Sequence, residues 1–248
     1  MNFTINVFPL RITKCLALFA IGLLIASVIS HSVEYDLKLT SDVHRWFNAD
    51  GEKNFPSAFS SGLLLFSSLL TAIITAYKSR VKDKFVVYWA GLCGLFGLLA
   101  ADEWLSFHEQ LSASVHSVLP VSGLFHFAWV IAGLAFSAAF GLTYVRFIGH
   151  LPAAYRRSFL IAAATFIAGA IGMEMLSGYY ADTHQQWNRN IWLGLTTVEE
   201  GLEMLGVILC IKSLLTYIRE LVGDIDIHLR SSGQPQQISN PTAPATFD

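Results

Sequence analysis

Apolar residues arrive in six blocks, each close to the roughly 20 residues that a helix needs to cross the hydrocarbon core of a bilayer. In the 248-residue chain they fall at about 15–30, 57–77, 85–105, 121–144, 159–179 and 191–217. Inside a bilayer no water is on hand for the backbone, so each entering segment must satisfy its own N–H and C=O groups. The blocks are continuous and do not alternate polar with apolar as barrel strands do. The expected fold is therefore all-α, a polytopic transmembrane bundle of six spans within residues 1–218. Composition agrees: 14% of residues are charged, against roughly a quarter in soluble domains. A net charge of −2, with no basic patch interleaved with aromatics, argues against a nucleic-acid partner. The expected partner is the lipid bilayer. Cys15, Cys93 and Cys210 lie in or beside apolar blocks without a CxxC pair and read as packing residues.

Arg11 and Lys14 precede the first block. That pattern fits an uncleaved first span, the preferred reading, or a signal peptide cut near Ser30. Residues 31–55 form a polar loop in which Asp50-Gly51 reads as a turn. Asn54 and Pro56 suit the cap and first turn of the second span, and Pro120 would open the fourth. Gly91, Gly94 and Gly97 in the third span offer close packing positions. Residues 219–248, rich in Ser, Gln, Pro and Thr toward the end, read as a largely disordered tail. Twelve of the sixteen Lys and Arg fall on one side of this arrangement, among them Lys78, Arg80, Lys82, Lys84, Arg146, Arg156 and Arg157. Lys38, Arg45, Lys53 and Arg189 fall on the other. The positive-inside rule then places both termini and the tail in the cytoplasm. Trp46, Trp104, Trp187 and Trp192 fall at the outer boundary, as an aromatic belt would.

The acids are what a simple bundle does not explain. Asp102 and Glu103 end the third span, with His108 and Glu109 just beyond. Glu174 is late in the fifth span, and Glu199, Glu200 and Glu203 are early in the sixth. His126 begins the fourth. The orientation brings all of them to one depth, the outer leaflet or its edge. At about 100° per residue, Glu199, Glu200 and Glu203 share one helical sector. Asp102 and Glu109 would superpose if their helix continued, with His108 pointing elsewhere.

A charged side chain at mid-span costs about 2.5–3.5 kcal/mol, so these acids need protons, water, a cation or a metal. Three readings stand. Carboxylates with one or two imidazoles suit a divalent metal such as Fe, Mn or Zn. In that case Asp102, Glu103, His108, Glu109, His126, Glu174, Glu199, Glu200 and Glu203 are the candidate ligands, and a metal-dependent membrane enzyme is the natural extension. No Glu-x-x-His of the di-iron bundles occurs in these spans. Proton or cation handling, as in a transporter, is the second reading. A structural acidic cluster is the third.

Three stretches have a familiar form: Asp50-Gly51-Glu52-x-Asn54-x-Pro56-Ser57-x-Phe59-Ser60, Asp102-Glu103-x4-His108-Glu109 and Glu199-Glu200-x2-Glu203. Together they resemble a group of bacterial multi-pass membrane proteins. The resemblance implies a bacterial inner-membrane location. It also raises Asp50, Glu52 and Asn54 as lid residues over the acids, and it supplies no substrate.

Overall fold

The computed structural model describes residues 2–5, 8–36, 42–116, 121–184, 188–222 and 225–228; side chains are described within 8–34, 43–112, 114–115, 121–184 and 188–221. Pro120, Trp187 and residues 229–248 of the expected tail lie outside the described residues. Along the chain run α1 (Pro9–Asp36), α2 (Asp42–Phe47), α3 (Phe55–Arg80), α4 (Val86–Leu105), α5 (Phe107–His116), α6 (Trp129–His150), α7 (Ala153–Ile167), α8 (Glu174–Thr183) and α9 (Arg189–Val222). A π-helical segment, Ala168–Met173, joins α7 to α8 without a break. Counting α7, this segment and α8 as one, six helices are long and apolar enough to span a membrane. The fold is all-α, and the chain is a multi-pass membrane protein. Backbone pairing of Asn2–Ile5 with Ile225–His228 adds a short antiparallel ribbon that joins the two ends.

The longest helix, α9, is the axis of the bundle. Met204, Val207, Ile208, Ile211, Leu214, Leu215 and Ile218 make its buried seam, against which α1, α3 and α7 pack. Its Gly206 lies against the Phe166 backbone of α7, where an added Cβ would come within 2.6 Å of the Phe166 nitrogen. Between α3 and α4 the helices are joined by hydroxyls: Ser61 donates to the Ala100 carbonyl and Ser68 to that of Cys93, each at 2.8 Å. Small residues and interhelical hydrogen bonds do this work where lipid removes the hydrophobic drive between helices. On α4, Gly91 makes room for the Tyr144 ring of α6, whose hydroxyl donates to the Tyr88 carbonyl at 3.0 Å. Outward-facing side chains such as Leu69, Val87, Leu98, Leu142 and Val145 are exposed apolar surface for lipid.

Several boundaries differ from the sequence expectation: α1 is helical from Pro9 to Asp36, into the expected polar loop, and the fifth span begins at Ala153. The fourth span starts at Trp129, not near Val121. Gly123 adopts φ +64°, its N–H donates to Asp182 at 2.8 Å, and Gly123–Phe125 becomes a single 3-10 turn. The helix through Asp102 does not continue to Glu109. Ser106 takes a left-handed conformation at φ 54° and ends α4, and α5 starts again in a new direction.

At the end of the bundle carrying the Lys and Arg clusters, Trp89 meets Phe147 and Tyr155 meets Tyr217 edge to face, and Trp89 stacks on Tyr217. Beside them Lys78 pairs with Asp83 at 2.8 Å. Burial pushes the Asp83 carboxyl up, but the Lys78 hydrogen bond and the Phe85 N–H outweigh it and hold the carboxyl below its ordinary 3.8. A folded-state value below the unfolded one gives stabilisation that is complete above 3.8 and fades as pH falls through the folded value. Asp83→Asn is therefore expected to lower the melting temperature in detergent at neutral pH. The gap to the parent protein should close on acidification below the carboxylate range. A gap that stays constant with pH would show that the pair contributes no charge-dependent stability.

Candidate functional site

The corner between α4 and α5 is built around Asp102. Because α4 ends at the left-handed Ser106, His108 meets Asp102 instead of pointing away from it. One carboxylate oxygen accepts the His108 backbone N–H at 3.0 Å, and the other meets Nδ1 of its ring at 3.1 Å. That bond takes up Nδ1 and leaves Nε2 as the nitrogen for a ligand, the arrangement in which a carboxylate orients a metal-binding imidazole. Burial pulls the His108 ring toward neutrality, but the Asp102 bond and the charges of Asp102, Glu174 and Glu109 prevail and raise its pKa. The next residue, Glu109, is raised as well, first by burial and then by Glu52.

Glu52 reaches this corner from the loop before α3. That loop is held by a reciprocal cap: Asn54 Oδ1 accepts the Ser57 N–H at 3.1 Å, and Ser57 Oγ accepts the Asn54 N–H at 3.0 Å. The Asn54 side-chain amide donates to the Asn48 carbonyl at 2.6 Å. Gly51 sits so close that a Cβ there would be 2.8 Å from Asn54 Nδ2. Ser27 of α1 receives the Ala49 N–H at 2.9 Å. The result is that donor atoms of Glu52, His108 and Glu109 all lie within 4.8 Å of one another. The second oxygen of Glu52 is shut off from solvent and has no partner. In the same loop Asp50 accepts from the Trp192 indole at 3.2 Å and from Thr196 at 3.5 Å, both on α9. Burial is the main cause that raises the Asp50 carboxyl; the two hydrogen bonds only partly offset it.

The remaining acids come from α8 and α9. Glu174 is the first residue after the π-helical segment, and its Oε1 accepts the Trp129 indole N–H at 3.0 Å. The Trp129 ring lies 5.3 Å from that of His108, so it bridges the two halves of the site. Glu174 and Glu199 stand within hydrogen-bond reach of each other. Two carboxyl groups at that distance need something positive between them, a proton or a metal cation. π-Helical turns are rare and recur at functional sites. Here the turn lays Gly169 directly on α9, where a Cβ would sit 2.9 Å from the Glu199 carbonyl and the Glu203 nitrogen. Below this level Glu103 and Glu203 line one small cavity of about 10 Å³ with Ser60, Phe166 and Met204. That volume suits about one water-sized group. The Ser60 hydroxyl, 6% exposed, lines the same cavity without a hydrogen-bond partner. Glu200 lies in the electrostatic reach of Glu103, Asp50 and Glu52.

A family of known extent matches this chain. The family described as "Domain of unknown function (DUF8692)" matches residues 15–218. The chain belongs to this family. No curated protein and no solved structure matches it. The DUF8692 match runs from the first span to the end of the last. It takes in the loop of Asp50 and Glu52 together with every acid of the cluster, and it leaves the terminal ribbon outside.

Of the sequence candidates, Glu203 interacts with Asp102, Glu103, Glu174 and Glu199, Glu200 with Glu103 and Glu203, and His108 with Asp102, Glu109 and Glu174, so the eight form one connected electrostatic cluster. His126 stands apart in the turn before α6, with Nδ1 3.6 Å from Asp182 and its ring against Phe127. Trp104, expected at the entrance, is 41% exposed, while Trp129 and Trp192 are the indoles bonded to acids. Trp129 was invisible as a site residue because the sequence places it inside a span rather than at its first turn. A cavity of about 420 Å³ lies at the opposite end among Trp89, Phe147, Tyr155 and Tyr217. Its acids are Asp83, already paired with Lys78, and Glu220.

Gly169 and Gly172 make a controlled pair, since both gain the same helix propensity on replacement by alanine. A Cβ at Gly172 meets nothing within 4 Å. Gly169→Ala should lose about 1–3 kcal/mol to overpacking and melt below Gly172→Ala in a detergent thermal ramp. Equal melting would show that α9 and the π-helical turn are not in tight contact.

Proposed function

We propose that this is an integral membrane metalloprotein whose acidic end holds a divalent cation, with Glu52, His108 and Glu109 as its protein ligands. Asp102 orients His108, and Glu103, Glu174, Glu199, Glu200 and Glu203 form the surrounding carboxylates. The observation that carries this reading is the convergence of the three donor atoms within 4.8 Å, around an imidazole whose other nitrogen is already bonded to a carboxylate. A partnerless buried Glu52 oxygen and the partnerless Ser60 hydroxyl below it are further groups that a hydrated cation would satisfy. A carboxylate-rich set with one imidazole suits iron or manganese, and zinc also accepts it. Such a cation would act as a Lewis acid or lower the pKa of a bound water, which makes a metal-dependent membrane enzyme the natural class.

The acidic end is proposed to face outward from a bacterial inner membrane, with the Lys- and Arg-rich end and both termini in the cytoplasm. Conduction across the membrane is disfavoured by what lies beneath the acids. Leu63, Leu64, Ile74, Ile211 and Leu214 fill the core there. The buried Ser67 and Thr71 hydroxyls are spent on carbonyls of their own helix, at 3.0 and 2.9 Å. The packing beneath the acids favours a site at one end of the bundle over a continuous path.

The test is metal content and manganese titration by EPR on the full-length protein, purified in mild detergent without chelator. The parent protein is expected to bind one Mn²⁺ in competition with iron. Glu52→Gln/Glu109→Gln should abolish binding, and Asp102→Asn should weaken it about 10–100-fold through loss of the orienting bond. A folded, monodisperse parent protein that neither carries nor binds a divalent cation would sink the metal reading. It would leave the Glu174–Glu199 pair as a proton-binding one.

A further inference from the structure

A second group of ligating side chains lies apart from the acidic pocket, at the far end of α1. His31 and Glu34, three residues apart, share one face of the helix, and His44 comes to them from α2. Donor atoms of the three are mutually within 4.8 Å. His44 Nε2 stands 3.2 Å from Glu34 Oε2. That is close to the spacing of about 3.3 Å between two donors on a tetrahedral metal with bonds of about 2.0–2.1 Å. The two imidazoles lie nearly parallel, 4.9 Å apart at 13°. Nδ1 of each ring is shut off from solvent and has no hydrogen-bond partner. A buried ring nitrogen without a partner costs free energy. A hydrogen-bonded Glu34–His44 pair does nothing for His31, for whose ring a cation shared by the three residues would be a partner.

We propose that His31, Glu34 and His44 form a second divalent-metal site, of the zinc class, that fastens the α2 loop to α1. Two imidazoles and one carboxylate make a three-ligand zinc set with a fourth position for water. The balance differs from the acidic pocket, where carboxylates dominate, so the two sites select different cations. Arg189 is the opposing charge. Its guanidinium donates to the His31 carbonyl at 2.7 Å and sets a limit on affinity that the Glu34 carboxylate offsets. The consequence for the molecule is mechanical. α2 leads directly into the Asn48–Asn54 turn that delivers Asp50 and Glu52, and that turn is tied to α1 by the Ser27–Ala49 bond. A metal clamp here would hold the lid of the acidic pocket in place. The site uses none of the residues of the proposed catalytic centre, so either can fail without the other.

Cobalt titration of the full-length protein in detergent reads the site directly, since tetrahedral Co²⁺ gives intense d–d absorption. The parent protein and Glu52→Gln/Glu109→Gln are expected to develop the same band, bleached by one equivalent of Zn²⁺. His31→Asn/His44→Asn should lose it, and Glu34→Gln should weaken cobalt binding at least tenfold. Size-exclusion profiles accompany each variant. If the double variant aggregates, His44→Gln, which keeps polarity and bulk, must show the same loss. A parent protein without a zinc-bleached band overturns the proposal. So does a band that survives in the His44 variants, or one that disappears in Glu52→Gln/Glu109→Gln.

Discussion

Carboxylates that enter a membrane bundle must be given partners, and the construction of one end of this protein follows from that cost. An acid at mid-span is unfavourable by about 2.5–3.5 kcal/mol on insertion scales, and α9 alone carries Glu199, Glu200 and Glu203 within two turns. The neighbouring elements depart from regular helix where they face these residues. α4 ends in a left-handed serine and turns back. The helix of span five loosens into a π-helical turn just before Glu174. The loop before α3 is cross-linked by a cap so that Asp50 and Glu52 can lie over the top. The His108 N–H from the first of these departures meets Asp102, while the Trp129 indole of α6 meets Glu174, and the Trp192 indole and Thr196 hydroxyl of α9 meet Asp50.

The opposite end shows what the same bundle does without that demand. There the helices are regular and the contacts are aromatic. Lys78 and Asp83 neutralise each other at short range. α9 joins the two regimes: its early residues are acidic, and its buried seam from Met204 onward is apolar. The change occurs within one turn, between Glu203 and Val207, at the small cavity shared with Glu103 and Ser60. A boundary that abrupt fits a pocket that ends there, not a route that continues.

How much of this was legible in the sequence depends on the range of the forces involved. The six spans follow from length and hydropathy, which are local sums, and the structure has them. A shared level of the acids is an expectation from span order and orientation; in the structure Glu203 interacts with Asp102, Glu103 and Glu174. What could not be read were events set by single backbone conformations. Ser106 gives no sign that it will take φ 54°, yet that one residue turns His108 from an outward-pointing side chain into the partner of Asp102. Likewise Gly123 and the distant Asp182 together postpone the fourth span to Trp129. No periodicity in 153–183 announces a π-helical turn, because the extra residue per turn is tolerated by an apolar sequence without changing its pattern. Within the stretch from Asp50 to Ser60 the Asn54 cap and Pro56 at the start of the second span were legible from the residues, and the capping box bears them out; the approach of Glu52 to His108 and Glu109 was not.

Where the acids sit also constrains what kind of chemistry the fold can host. A carrier needs two alternating openings, and so two arrangements of packed helices with the site between them. Here the α3–α4 pair is stitched by hydroxyl bonds at two levels, and α7 and α9 touch backbone to side chain at Gly169 and backbone to backbone at Gly206. Helices in such close contact slide little without losing those bonds. The proposed ligands Glu52, His108 and Glu109 lie on shorter elements, the Asn48–Asn54 turn and α5, and these too are tied down, by the Asn54–Ser57 cap and by the two bonds from His108 to Asp102. A bundle fixed at so many levels disfavours alternating access and is consistent with the proposed cation site at one end.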